Sequence, residues 1–461
     1  MMQADGSNPQ VLTDNITGWS IPQTWSPDGK HVIINYFTSW QGENYETLIK
    51  TPNGGWSFSL PGEAAAGINQ RWWSAPRPVE TVVLPPPSTP QTETPALPLA
   101  LINGTLIDGM GGAPVSDAVI VIENGRITAV GKRDQVSIPD NAQIMDVQGG
   151  AMLPGFFNTH VHASYYAAAL SKWIQGGVTT VCDLGTGGWS YPTRFAFRDA
   201  VLTHPQYARL VAAGPAVTVP DGYPDVYWGG GGLPVTSADD ARQKVAQLLE
   251  GGADIVKIAL ESGALFHQTW PMLSPEETTA IVEVAHAHGT KVLAHVTVAA
   301  DLEKAVDAQV DGIAHMIKDP LTPELAQRVV DANIFWTPTL ELWHIGLYGN
   351  VDGNLRLFVA AGGKVALGTD YAGAPDASLD LGMPMSEIGH MAAAGMTPMQ
   401  IIVAATQNAA YVCNQERNLG TLEVGKIADV LVVNGDPLQD LAALQKIRLV
   451  IHSGIVVRDS Q

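Results

Sequence analysis

The sequence predicts an α/β chain built around a (β/α)8 barrel, with a β-sandwich flanking it and a small N-terminal β segment. Three observations point there. Between residues 153 and 416, eight strand-like runs alternate with helical ones. On both sides of that stretch lie Val- and Ile-rich runs punctuated by turn residues. A Pro-rich run at 84–98 separates all of this from the first 83 residues. A doubly wound parallel sheet shares the same alternation, so periodicity alone leaves both architectures open.

The opening segment, 1–83, carries six of the 12 Trp residues: Trp19, Trp25, Trp40, Trp56, Trp72 and Trp73. WSPDGK (25–30), HVIINYF, YETLIKT and NGGWSFSL read as short strands, with Asp28-Gly29 and Asn53-Gly54 as hairpin turns. The piece resembles one blade of a TolB-type β-propeller. One blade cannot bury its faces alone. The run at 84–98 holds six prolines, which neither continue a helix nor sit in a central strand. It reads as an extended linker and a domain boundary. The runs LALINGTLIDG, AVIVIENGRITAVG and AQIMDVQGGAMLPG (within 99–152) share a style with IADVLVVNGDP and IRLVIHSGIVVR (within 417–461). Both flanks are expected to build one small sandwich.

Between them, over 153–416, the expected strands are 153–160, 178–184, 209–218, 254–260, 291–297, 312–317, 333–340 and 364–370. The clearest helix is 274–289. Ser274 is its N-cap, Pro275 its first residue, Glu277 the partner in a capping box, and Gly289 its end. A second helix spans 397–412, with Thr397 and Gln400 as its box.

Composition narrows the function. The net charge is −20, from 45 acidic and 25 basic residues. A field of that sign repels phosphate backbones and argues against nucleic acid. The apolar fraction of 46% argues against disorder over most of the chain. Two cysteines, Cys182 and Cys413, cannot make a disulfide framework. No apolar run approaches the ~18 residues needed to cross a bilayer. The start, MMQADGSNPQ, lacks a basic and an apolar signal region, so a cytoplasmic location is expected for the chain as it stands. A signal cleaved away or lying upstream would make it exported or periplasmic.

The histidines carry the chemistry. His160 and His162 form THVH at the end of the first barrel strand, where residues i and i+2 face the same way. His295 ends KVLAH, His315 ends GIAH and Asp370 ends VALGTD. All five lie at C-terminal strand ends, where barrel active sites are built. Imidazole and carboxylate suit Zn²⁺ and similar ions. Lys257 interrupts the apolar strand DIVKIAL. It reads either as an edge lysine reaching solvent or as a buried amine that loses its charge. A neutral amine can add CO2 to form a carbamate, an anionic bridge for two cations.

This constellation resembles the amidohydrolase superfamily of metal-dependent hydrolases. The matching pieces are PGFFNTHVH (154–162), GVTTVCDLG (177–185), ADIVKI (253–258), VLAHV, GIAHM, VALGTD (365–370) and GTLEVGKIADVLVVNGDPL (420–438). The similarity is greatest to the imidazolonepropionase-like and prolidase-like group. The resemblance implies that His160, His162 and Asp370 hold the more buried metal and that His295 and His315 hold the second. Carboxylated Lys257 bridges the two. A hydroxide between two divalent ions, Zn by ligand type, is then the nucleophile, and Asp370 shuttles its proton. The implied activity is cleavage of a small-molecule amide, such as a dipeptide, an N-acyl amino acid, a carbamate or a urea. A homo-oligomer is also implied. The same site suits a lactone or phosphoester. A third reading is a non-catalytic barrel coupled to a propeller-like binding module.

The sequence departs from the family pattern in three places. Asn158 stands where the family commonly has Asp. Val298 stands where deaminases and imidazolonepropionases have a Glu, which argues against deamination. A Tyr that prolidase-like members often carry close to His295 in sequence is absent from HVTV. Other residues invite plain readings. His286 and His288 lie about 200° apart on a helix and cannot share a metal. Cys182 and Cys413 read as packing. Glu261-Ser262-Gly263 reads equally well as pocket lining or as scaffold. WGGGG (228–232) lacks the Lys-Ser/Thr of a phosphate loop and reads as a mobile loop over the barrel mouth. Tyr227, Trp228, His267 and Trp270 are candidate substrate contacts, with His344 and His390 behind them.

Overall fold

A computed structural model describes residues 97–162, 164–185, 191–347, 349–372 and 381–460, and the backbone of four strands within 19–60. The chain forms two compact units, 1–83 and 84–461. In the first, β1 (Trp19–Trp25), β2 (Val32–Phe37), β3 (Tyr45–Lys50) and β4 (Trp56–Leu60) make an antiparallel sheet in that order. The turns expected at 28–29 and 53–54, and the linker as far as residue 96, lie outside the described residues.

The second unit is mixed α/β. Its two flanks meet in one sheet. From the N-terminal side come β5 (Leu99–Leu106), β6 (Val115–Glu123), β7 (Arg126–Lys132), β8 (Gln143–Asp146) and β9 (Ala151–Pro154). Alternation explains its two faces. Leu99, Leu101, Ile120 and Ile122 enter one core with Val430, Val432, Leu449 and Ile451 of the C-terminal flank. Ala100, Val119 and Val121 pack on the opposite face. Asn124 (φ 50°) and Gly125 (φ 77°) supply the left-handed pair that a tight hairpin needs between β6 and β7.

The parallel strands come next. They are β10 (Phe156–Val161), β11 (Val178–Asp183), β12 (Arg209–Ala212), β13 (Ala216–Thr218), β14 (Gly232–Pro234), β15 (Val256–Ala259), β16 (Val292–His295), β17 (Gly312–Ala314) and β18 (Phe335–Thr337). They form a three-stranded sheet, β10-β11-β12, and a six-stranded one, β14-β13-β15-β16-β17-β18. The run expected at 209–218 is split because Gly214 takes a left-handed φ of 74°. The run expected at 364–370 is not a continuous strand. Val365 bridges Trp336 and Tyr371 bridges Val161, and Asp370 N donates to His160 O (2.8 Å).

The C-terminal flank supplies β19 (Val430–Val433), β20 (Ile447–His452) and β21 (Ile455–Asp459), with β19 antiparallel to β9. Among the helices, Pro275–Ala287 carries the expected Ser274–Glu277 capping box. The helix expected over 397–412 breaks into Pro398–Ala405 and Gln407–Val412. Thr406 Oγ1 donates back to Ile402 O (2.6 Å), an arrangement that bends helices. Among the described residues, no helix is long and apolar enough to cross a membrane.

Candidate active site

His160 is near the end of β10 and His162 directly follows that strand, and extended-chain alternation turns both rings toward one point. Their Nε2 atoms lie 3.1 Å apart. Asp370 Oδ1 reaches His160 Nε2 at 3.1 Å and His162 Nε2 at 2.9 Å. These three residues form a cluster able to hold a metal ion. His315 joins it from the end of β17, its ring 4.7 Å from that of His160, and His295 from β16 lies 4.6 Å from His315. Lys257, on β15, is buried with no hydrogen-bond partner for Nζ. His295 Nε2 is a second buried nitrogen without a hydrogen bond. Backbone strain accompanies the site. His315 (φ 71°) and Asp370 (φ 63°) adopt left-handed conformations that non-glycine residues seldom hold without surrounding support.

The neighbours fix these side chains. Asn158 Oδ1 accepts from Thr369 N (3.1 Å) and His160 N (3.3 Å), and its Nδ2 donates to Thr369 Oγ1 (2.8 Å). The Asn in place of Asp thus links β10 to the segment bearing Asp370. His315 Nδ1 pairs with Thr339 Oγ1 (3.0 Å), which leaves Nε2 for another partner. Glu261 is buried, accepts from Gly263 N (2.7 Å) and Thr297 Oγ1, and lies 3.4 Å from His295 Nε2. Sequence reasoning left Glu261 undecided and passed over Thr297 and Thr339. It also missed Tyr223, whose ring stacks on His295 at 4.4 Å. A tyrosine therefore does stand beside this histidine, although it comes from far away in the chain. No local spacing signals it.

Burial sets the charge states. It drives His160 down to about 3 and His315 well below the usual imidazole range, and it lowers His295 against the pull of Glu261. These rings are neutral, as ligands must be. Burial also brings Lys257 down to about 7, opposed by the negative charge of Asp370. For Asp370, burial works upward. Its close contacts with His160 and His162 outweigh burial and keep the carboxyl well below its ordinary range.

Tyr227, Trp228 and Trp270 gather with Phe266 beside Tyr223. His267 is exposed at the end of the turn Ala264–Phe266, and no described contact joins it to the cluster. WGGGG closes a short helix, Asp225–Trp228, with Gly229, Gly230 and Gly231 all at positive φ. His286 pairs with Asp311 (2.9 Å) and His288 with Val284 O (2.8 Å), away from the cluster and structural in both cases. His344 and His390 stack on each other at 4.0 Å. Cys182 and Cys413 are buried in one apolar core.

The sequence is similar to proteins of known activity. Ochratoxinase of Aspergillus niger is 25% identical over 418 residues, covering 76% of this chain and 84% of that one. Enamidase of Eubacterium barkeri is 26% identical over 367 residues, covering 74% and 87%. The solved structure of molinate hydrolase superposes with a TM-score of 0.66 at 25% identity, over 79% of this chain and 95% of that one. Residues 151–457 match the amidohydrolase family, and they contain the whole histidine, lysine and aspartate cluster. The chain belongs to the amidohydrolase family of hydrolases.

Proposed function

We propose that this chain hydrolyses the carbon–nitrogen bond of a small-molecule amide at a site for two divalent metal ions. The carrying observation is the convergence of His160 Nε2, His162 Nε2 and Asp370 Oδ1, each within 3.1 Å of the other two. With both rings as Nδ1–H tautomers, two imidazole lone pairs and a carboxylate oxygen this close are suited to share one cation. The buried Lys257 Nζ, without a hydrogen bond, and the pairing of the His295 and His315 rings at 4.6 Å support a second ion. His160, His162 and Asp370 would hold one ion and His295 and His315 the other, with Lys257, as a carbamate, serving both. Nitrogen and oxygen ligands favour Zn. The scaffold is read as a (β/α)8 barrel, in which the 364–371 segment joins β18 to β10. Residues 153–416 make the barrel, and 99–152 with 417–461 make a flanking sandwich.

When bound, the ions supply a water of lowered pKa and polarise the scissile carbonyl. The Asp370 carboxylate accepts that water's proton and returns it to the departing nitrogen. One water is consumed, and a carboxylic acid and an amine leave. Neutral His160 and His315 keep their lone pairs available throughout. The name enamidase, borne by one relative, supports an amide substrate. Asp370→Asn tests the role. It removes the proton acceptor and should lower kcat by about 10³-fold. Unchanged turnover would exclude Asp370 from proton transfer.

A further inference from the structure

An aromatic shelf starts at the cluster and runs outward. Tyr223 lies flat on His295, with centroids 4.4 Å apart and planes 25° apart. Trp270 lies near-parallel to Tyr223, with centroids 6.2 Å and planes 18° apart, and Phe266 follows at 5.0 Å from Trp270. Tyr227 packs on Phe266 at 4.8 Å and on Trp228 at 4.9 Å. These rings come from two segments, 223–228 and 266–270, that follow the C-terminal ends of β13 and β15. Two of them face water to an extent that simple packing does not require: Tyr227 is 38% exposed and Trp228 49%.

The shelf is held in place before any ligand arrives. Trp270 N donates to Ser262 O (2.8 Å), and the Trp270 ring presses against Gly263, where a Cβ would meet it at 3.0 Å. Gly232 N donates to Asp225 Oδ1 (2.7 Å) and fixes the other segment. Trp228 Nε1 donates to the Tyr223 hydroxyl (3.3 Å), which ties the two ends of that segment together. Fixed rings of this kind offer offset stacking to a flat group without an ordering cost.

We propose that the substrate carries an aromatic ring close to the scissile amide, which lies on the shelf formed by Tyr223, Tyr227, Phe266 and Trp270. This deepens the amide-hydrolase reading above and rests on it. The contact with His295 sets the location, since a ring on Tyr223 is adjacent to the residues that would act on the amide.

The test compares three probes on the metal-loaded enzyme: N-butanoyl-L-alanine, N-phenylacetyl-L-alanine and N-butanoyl-L-phenylalanine. The phenylacetyl probe sets one methylene between ring and carbonyl, and the phenylalanine probe sets a methylene and the α-carbon between ring and amide nitrogen, so neither ring is conjugated with the amide and intrinsic reactivity is similar. At least one ring-bearing probe should exceed the first by tenfold or more in kcat/KM. Trp270→Ala and Tyr227→Ala should each shrink that ratio at least fivefold, while Trp270→Phe restores it. Equal kcat/KM for all three probes overturns the shelf and leaves the amide reading standing. A preference that survives both alanine variants also overturns it. If none is hydrolysed, the amide reading fails for this class. Calorimetric titration of the same probes then decides the shelf, with equal affinities counting against it and tighter ring binding for it.

Discussion

Asn158 ties together the two backbone segments that bear His160, His162 and Asp370. Removing its side chain leaves Thr369 N and His160 N buried without their acceptor. Asn158→Ala should therefore cost about 2 kcal/mol. It should also lower kcat more than it changes KM, because Asp370 loses its anchor. Urea denaturation and steady-state kinetics read the two effects, and a stable, fully active variant would refute the bracing role. Glu387 acts one step further out. Its carboxylate accepts from Leu340 N (2.9 Å) and Glu341 N (2.7 Å), fixing the turn that presents Thr339 to His315. Burial raises it to about 8 against the pull of those two N–H groups. The native state thus holds a proton that the unfolded chain has lost above the ordinary carboxyl range of about 4.5. The sign follows: stability falls as pH rises from about 4.5 to about 8. Thermal melts of Glu387→Gln should show a flatter decline between pH 5 and 8 than the parent, and identical slopes would argue against the assignment. At this scale the meeting of His160, His162, His295 and His315 was legible, because strand alternation and strand ends place them by simple rules, whereas Asp370 comes from a segment that is not a continuous strand. Tyr223 was not legible. Its stacking on His295 depends on how two distant loops return over the parallel strands, and no periodicity encodes that.

Elements matter through their joints. Arg209, on β12, donates to Asp429 Oδ2 (2.7 Å), Thr180 Oγ1 (3.0 Å) and Ser453 Oγ (3.0 Å), and so pins the parallel strands to the C-terminal flank. Both ends of this ion pair are largely buried. Arg209→Ala would strand the Asp429 carboxylate and should destabilise the protein by about 3 kcal/mol. Turnover at permissive temperature should hardly change, since the pair lies outside the candidate site. A loss of kcat without a loss of stability would contradict this. Element positions were largely readable from the sequence. Apolar runs at 156–161, 178–183, 256–259 and 292–295 are strands because every residue in them is buried, the pattern of parallel sheet. The misreadings have local causes. Gly214 interrupts 209–218 through its left-handed φ, and Thr406 breaks the 397–412 helix by turning its hydroxyl back on the preceding turn.

For the whole molecule, the fold and the site serve one arrangement. The parallel strands and the 364–371 segment aim neutral imidazoles, an anionic Asp370 and an unpaired Lys257 at a common place, and an aromatic shelf adjoins it. Residues 84–461 contain all of these groups, and the family match lies entirely within them. Metal dependence is the claim on which the rest stands, and elemental mass spectrometry of protein purified without chelator tests it most directly. The account predicts about two divalent ions per chain, both lost with activity on chelation and both restored on adding metal back. A chain that binds no metal even after addition, yet still hydrolyses its amide, would contradict it.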